Sequence, residues 1–284
     1  MRQVYISGQF VPEADARVSV FDRGFLFADG VYEVTLVLGG KLIDFAGHIE
    51  RLRRSLQELD MPFAMSDDEL LAVHRALVEK NDLNEGLIYL QVTRGAADRD
   101  FTFPPEGTPN TVVLFTQKKS VLDSPLAARG QKVVTIDDLR WGRCDIKTVQ
   151  LLFPSMAKMQ AQKQGADDAW LVREGQVMEG SSNNAFIVTQ DGTIITRDLS
   201  NSILHGITRK AVLECAHDLQ LKVEERAFSI AEAEAAKEAF STSASGLVNP
   251  VVKINDSTIG DGTPGPIAKR LRQIYIERSL AAAI

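Results

Sequence analysis

Apolar residues recur at every second position in some stretches of this chain and at every third or fourth in others, and the change of period divides it into elements. Gln9-Phe10-Val11-Pro12 closes a short amino-terminal hairpin, and Val31 to Asp44 predicts two strands turned by Gly39-Gly40. Ile49, Leu52, Leu56 and Leu59 fall on one helical face, and Ser66-Asp67-Asp68-Glu69 is a capping box that opens a second helix through Val78. Leu87 to Thr93 and Thr111 to Thr116 predict further strands. The polar stretch 118–130, with Pro125 and Gly130, predicts a linker between a small α/β domain, 1–117, and a larger domain, 131–284. In the second part the pattern predicts a strand over Lys132 to Ile136 and a helix from Pro154, a residue suited to a first helical turn. Four strands follow, at Ala169 to Val172, Val177 to Gly180, Ala185 to Val188 and Thr193 to Thr196, with turns at Glu174-Gly175 and Gln190-Asp191-Gly192. Helical periodicity returns from Thr208, from the capping box Ser229-Ile230-Ala231-Glu232 and from Pro266. The fold expected is mixed α/β (α+β) in two domains.

Composition narrows the function classes. With 284 residues, 44% hydrophobic and 25% charged, the chain can bury a full core. A net charge of −6 and a pI near 5.4 give no electrostatic reason to expect nucleic acid. No apolar run is long enough to span a bilayer and Met1 to Gly8 carries no leader-like apolar region, so a cytoplasmic location without membrane contact is expected. The two cysteines, Cys144 and Cys215, and the four histidines are scattered, which supports neither a disulfide nor a metal site.

Chemistry gathers around two phrases. Lys147 lies in Arg143-Cys144-Asp145-Ile146-Lys147, and Glu179 in Val177-Met178-Glu179-Gly180-Ser181-Ser182-Asn183-Asn184. Taken alone, Lys147 reads as a surface lysine and Glu179 as a strand-end carboxylate capping a turn. Together they change the picture, because an ionised carboxylate in an apolar strand needs a cation to offset its desolvation. A protonated ring nitrogen is such a cation, and a nearby lysine amine is what an electron-sink cofactor attaches to. Arg143 and its neighbouring arginines would depress the amine's proton affinity. Gly206-Ile207-Thr208-Arg209 places the Ile207 and Thr208 amides at a helix amino terminus, which suits an anion.

These phrases, with Phe21-Asp22-Arg23-Gly24, Asp29-Gly30-Val31-Tyr32-Glu33-Val34 and His48-Ile49-Glu50-Arg51-Leu52, occur in the order seen in the fold-type IV pyridoxal-phosphate enzymes. The chain resembles that group over essentially its whole length. The group holds the D-amino-acid, branched-chain and (R)-selective amine transaminases and aminodeoxychorismate lyase. The resemblance implies pyridoxal 5'-phosphate held between the two domains of a homodimer. Lys147 would be the residue it joins and the carrier of the proton; Glu179 would pair with the ring nitrogen and Leu204 would support one ring face. It further implies that Arg51, on the polar side of its helix, binds the phosphate with Ile207, Thr208 and the loop Ser241 to Gly246. The family usually offers a threonine hydroxyl where this chain has Ala244, so Ser243, Ser245 or only the Ala244 amide remains for that contact.

Substrate choice should lie in Tyr32 and in the loop Thr93 to Phe101. In D-amino-acid transaminases a tyrosine and an arginine at the Tyr32 and Arg99 positions bind the α-carboxylate, helped by a histidine two residues later; here that residue is Phe101. Without that context Arg99 reads as a loop arginine paired with Asp98 or Asp100. Trp141 with Arg140 and Arg143 also resembles the D-amino-acid branch. The expected activity is therefore amino transfer between a D-amino acid, such as D-alanine or D-glutamate, and a 2-oxo acid. Alternatives are an (R)-selective amine or branched-chain L-amino-acid transaminase, aminodeoxychorismate lyase, and a protein that binds the cofactor without turnover.

Overall fold

A computed structural model describes residues 1–284, which divide into two compact units. The first comprises residues 1–120, 146–150 and 282–284. Its elements are β1 (Gln3–Ile6), β2 (Gln9–Pro12), α1 (Arg23–Phe27), β3 (Gly30–Leu38), β4 (Lys41–Leu42), α2 (Phe45–Glu58), α3 (Asp67–Lys80), β5 (Glu85–Thr93) and β6 (Thr111–Lys118). The strands form one antiparallel sheet in the order β2-β1-β6-β5-β3-β4. Period-2 alternation puts Val31, Glu33, Thr35 and Val37 on one side of β3, and all four are buried. From α2, Ile49, Leu52 and Leu56 join Val31 and Val37 in the core, so a Leu52→Ala cavity there would cost about 2–5 kcal/mol. The predicted capping box opens α3: Ser66 accepts from the Glu69 N–H while the Glu69 carboxylate accepts from the Ser66 N–H.

The expected linker differs in detail. β6 runs on to Lys118, and Pro125 at a first-turn position starts a short helix, α4 (Pro125–Arg129), inside the stretch read as a linker. The segment 146–150, expected with the large domain, instead belongs to the first unit. Its backbone runs along the part of β3 that β4 leaves uncovered: Tyr32 N–H donates to the Lys147 carbonyl at 3.0 Å and Val149 N–H to the Gly30 carbonyl at 3.1 Å.

The second unit comprises residues 121–145 and 151–281. After α4 it holds β7 (Gln131–Asp137), α5 (Leu152–Lys163), β8 (Asp168–Arg173), β9 (Gln176–Gly180), β10 (Asn184–Val188), β11 (Ile194–Thr196), α6 (Ile207–Asp218), β12 (Val223–Glu225), α7 (Ile230–Glu234), β13 (Glu238–Ser243), β14 (Leu247–Ile254), β15 (Ser257–Thr258) and α8 (Pro266–Ala282). Its sheet runs β12-β11-β10-β13-β14-β7-β8-β9, with β15 on β14 and parallel pairs at β11/β12, β14/β7 and β7/β8. One core gathers Trp170, Ile187, Phe228 and Ile254; another sets Ala157 and Ala161 of α5 against Ala169 and Leu171. Ser241 to Ser243, expected as loop, continue β13, because Ser241 and Thr242 pair with both β10 and β14. No helix is long and apolar enough to cross a membrane.

Candidate active site

In the first unit Lys147 is held by its backbone, with its carbonyl on Tyr32 N–H and its own N–H 3.4 Å from the Ser55 hydroxyl on α2. The side chain turns onto the neighbouring strand, where Nζ lies 4.1 Å from the centre of the Tyr32 ring. Tyr32 is itself stacked on Tyr89 at 5.4 Å. The amine therefore meets a rigid aromatic face.

Arg51, expected on the polar side of its helix, faces Glu33 of β3. It is buried, donating from Nε and Nη2 to the two oxygens of Glu33 at 2.7 Å each, while His48 Nδ1 meets the same carboxylate at 2.8 Å. Glu33 points at α2 because it shares a face of β3 with Val31 and Val37. Burial pushes its carboxyl up, but the Arg51 charge and the hydrogen bonds from Arg51 and His48 outweigh this and bring it down to about 2. Any phosphate contact by Arg51 would have to be made alongside this ion pair.

Arg99 and Phe101 lie on an exposed loop of the same unit. Arg99 forms no ion pair with Asp98 or Asp100; its guanidinium instead lies over Phe27 at 5.2 Å and Phe101 at 5.5 Å. Arg23 holds the loop from behind, donating to the Asp100 and Thr102 carbonyls.

In the second unit Glu179, on β9, is fully buried yet well supplied with donors. Oε1 accepts from Arg140 Nη1 at 2.5 Å, Oε2 from Asn184 Nδ2 at 3.0 Å, and the Leu204 N–H is shared between them at 3.2 and 3.1 Å. Burial raises its carboxyl above the usual range, and Arg140 and the Leu204 amide only partly oppose that. Arg143 is engaged by Asp145, and Arg140 by Asp138 and Glu179. Leu204 is half-buried, and its backbone is what the structure puts to use. Ile207 and Thr208 open α6 behind the N-cap Gly206, with the orphan amides of a helix start. Ser243 ends β13 and Ala244 begins the tight turn to β14. Sequence reasoning missed Arg140, Asp138 and Asn184 as partners of Glu179, and Glu33 with His48 as partners of Arg51; only the charges adjoining the two phrases could have signalled them.

The class IV amino-transferase family model matches residues 30–254, which span both phrases. The chain belongs to this family. This aminotransferase is 38% identical over 275 residues to the D-alanine aminotransferase of Staphylococcus aureus strain N315, covering 96% of each chain. It is also 38% identical to the D-alanine aminotransferase of Bacillus licheniformis over 271 residues, 95% of this chain and 94% of that one. Among solved structures, the branched-chain aminotransferase of the thermophilic archaeon Thermoproteus uzoniensis with norvaline superposes with a TM-score of 0.88 at 25% identity, covering 99% of this chain and 95% of that one. The fold expected from the sequence is that of the family, and the reaction class is amino-group transfer.

Proposed function

We propose that this aminotransferase uses pyridoxal phosphate to move an amino group between a D-amino acid of the D-alanine or D-glutamate type and a 2-oxo acid. The observation that carries the reading is Glu179: a buried carboxylate on an apolar strand, lined with donors and still raised towards protonation, is a site short of one cation. A ring nitrogen that gains a proton fits that need, and the Lys147 amine on the Tyr32 face fits the carbonyl carbon of the same group. When bound, the cofactor supplies the electron sink and carries the amino group between the two half-reactions. Lys147 Nζ would anchor it and, once the substrate amine has displaced it there, would carry the proton from the substrate Cα to the cofactor. Glu179 keeps the ring nitrogen charged, and the Leu204 side chain covers one ring face. Arg51, the Ile207 and Thr208 amides, Ser243 and the Ala244 amide would hold the phosphate.

Tyr32 and Arg99 would take the substrate carboxylate, Arg99 being oriented by its two aromatic neighbours. The relatives named D-alanine aminotransferase support the D-specific reading. Phe101, 80% exposed where D-amino-acid transaminases carry a histidine, supports a second activity towards (R)-amines without a carboxylate. A homodimer is in keeping with the exposed apolar stripe Leu152, Met156 and Met159 on α5, and the acidic composition suits the cytoplasm.

Borohydride should fix the cofactor on Lys147 in the wild type and not in Lys147→Ala, read by mass spectrometry. Half-reactions with D-alanine, D-glutamate, L-leucine, (R)-1-phenylethylamine and aminodeoxychorismate should be fastest for the D-amino acids. Faster conversion of L-leucine would overturn the D-specific reading, and label found on another residue would overturn the role of Lys147.

A further inference from the structure

The loop after β7 carries a line of alternating charge that reaches Glu179. Asp138, whose carboxylate is fully buried, accepts from Arg140 Nε at 2.9 Å and Nη2 at 3.0 Å, and from Arg173 Nη2 at 3.1 Å. Arg140 then spends its remaining terminal nitrogen on Glu179 Oε1 at 2.5 Å. The line runs Arg173, Asp138, Arg140, Glu179, from a side chain 34% exposed to one 4% exposed. The backbone is built for it: Asp138 N–H donates to the Val172 carbonyl beside Arg173, and Asp138 Oδ1 accepts from Arg140 N–H at 3.1 Å, which folds the loop back on itself.

Arg140 is thus divided. Nε and Nη2 serve Asp138, Nη2 also meets the Ser202 carbonyl at 3.4 Å, and Nη1 serves Glu179. A carboxylate offers about four lone-pair positions, and Glu179 receives three donors, Arg140, Asn184 and the shared Leu204 N–H, one fewer than that. We propose that Arg173, Asp138 and Arg140 form a positioning relay in which Asp138 rations the Arg140 guanidinium, so that the negative potential at Glu179 is left only partly balanced and attracts a cationic ring nitrogen. The relay rests on the cofactor reading of Glu179 given above. Were Arg140 undivided, it would satisfy Glu179 by itself, and little attraction would remain for a second cation. Were it absent, Glu179 would hold a proton of its own. The remaining polar and titratable groups around Glu179 are Asn184, the Leu204 amide and the Cys144 thiol; burial pushes that thiol up to about 11, so it stays neutral at ordinary pH.

Two substitutions in one small cluster should therefore act in opposite directions. In the full-length apoprotein carrying 13C-labelled glutamate, with the Glu179 signal assigned through Glu179→Gln, Arg140→Met should raise the carboxyl midpoint by about one pH unit, tenfold in proton affinity. Asp138→Asn should lower it by a similar factor, and the surface-reached Arg173→Gln should raise it by about threefold. A purely structural role would move all three alike or none; equal signs for Asp138→Asn and either arginine variant, or no movement, would overturn the relay. If Arg140→Met does not fold, the sign contrast between Asp138→Asn and Arg173→Gln decides. A second arm loads each protein with 15N-labelled pyridoxal phosphate and follows the ring-nitrogen shift, which should report a less protonated ring in Asp138→Asn. Protein that retains no pyridoxal phosphate would sink the cofactor reading while leaving the carboxyl titration to judge the relay.

Discussion

Glu33 and Glu179 are both buried strand glutamates that meet an arginine, and they have moved in opposite directions. Glu33 takes the Arg51 guanidinium two-handed and adds His48, so its carboxyl lies near 2. Glu179 takes one N–H of an arginine already claimed twice by Asp138, and its carboxyl is raised. Burial is common to both; division of the counter-charge is what differs. A closed pair of this kind holds an element in place, whereas a divided one leaves an electrostatic demand that a ligand can meet.

The largest expected break is on the closed side. Arg51→Ala leaves the buried Glu33 carboxylate with His48 as its remaining partner and should cost about 3–5 kcal/mol in urea unfolding, besides weakening cofactor retention. Glu179→Gln should cost the empty protein far less and yet slow amino transfer by orders of magnitude; equal losses of stability for the two would erase the distinction. Next is the pH dependence of unfolding. Glu33, lowered in the folded state, should contribute about 3 kcal/mol above pH 4.5, lost progressively as pH falls towards 2. Glu179, raised in the folded state, has the opposite sign: its contribution in the empty protein is complete below pH 4.5 and is lost as pH rises through its folded value. Glu33→Gln and Glu179→Gln should flatten opposite slopes. His74 adds a third slope, since burial pushes its ring down to about 4 and the unfolded chain protonates first, so stability falls from pH 6.5 to 4. The smallest effect concerns substrate: Phe101→His should lower the KM for D-alanine by a few-fold, and an unchanged KM would place the carboxylate elsewhere.

The elements that local pattern governs were legible. The hairpin of β1 and β2, the α2 stripe, the two capping boxes and strands β8 to β11 all show their pattern within a few residues of sequence. Lys147 and Glu179 stood out because charge in apolar surroundings is chemically costly. What the sequence hid depends on distant partners. Glu33 is 18 residues from Arg51 and Arg140 is 39 from Glu179; neither separation has a period to betray it. The alanine-rich run after Ser229 has helical composition, but the helix ends at Glu234 and Glu238 begins a strand between β10 and β14, since sheet pairing outweighs a weak local preference.

The segment 146–150 also bears on how the protein is made. Ile146 belongs to the first unit's core, and the amides of Tyr32 and Val149 are satisfied only when this segment is on β3. Because residues 121–145 of the other unit are synthesised in between, a ribosome-bound chain of 120 residues lacks a piece of its own sheet edge and an apolar plug. Lys147 can reach its place on β3 only through a closure more than a hundred residues long, the kind of late, non-local step that slows folding. Split after Ser120, the two gene halves should yield a first fragment that opens readily to hydrogen exchange at Gly30 to Tyr32.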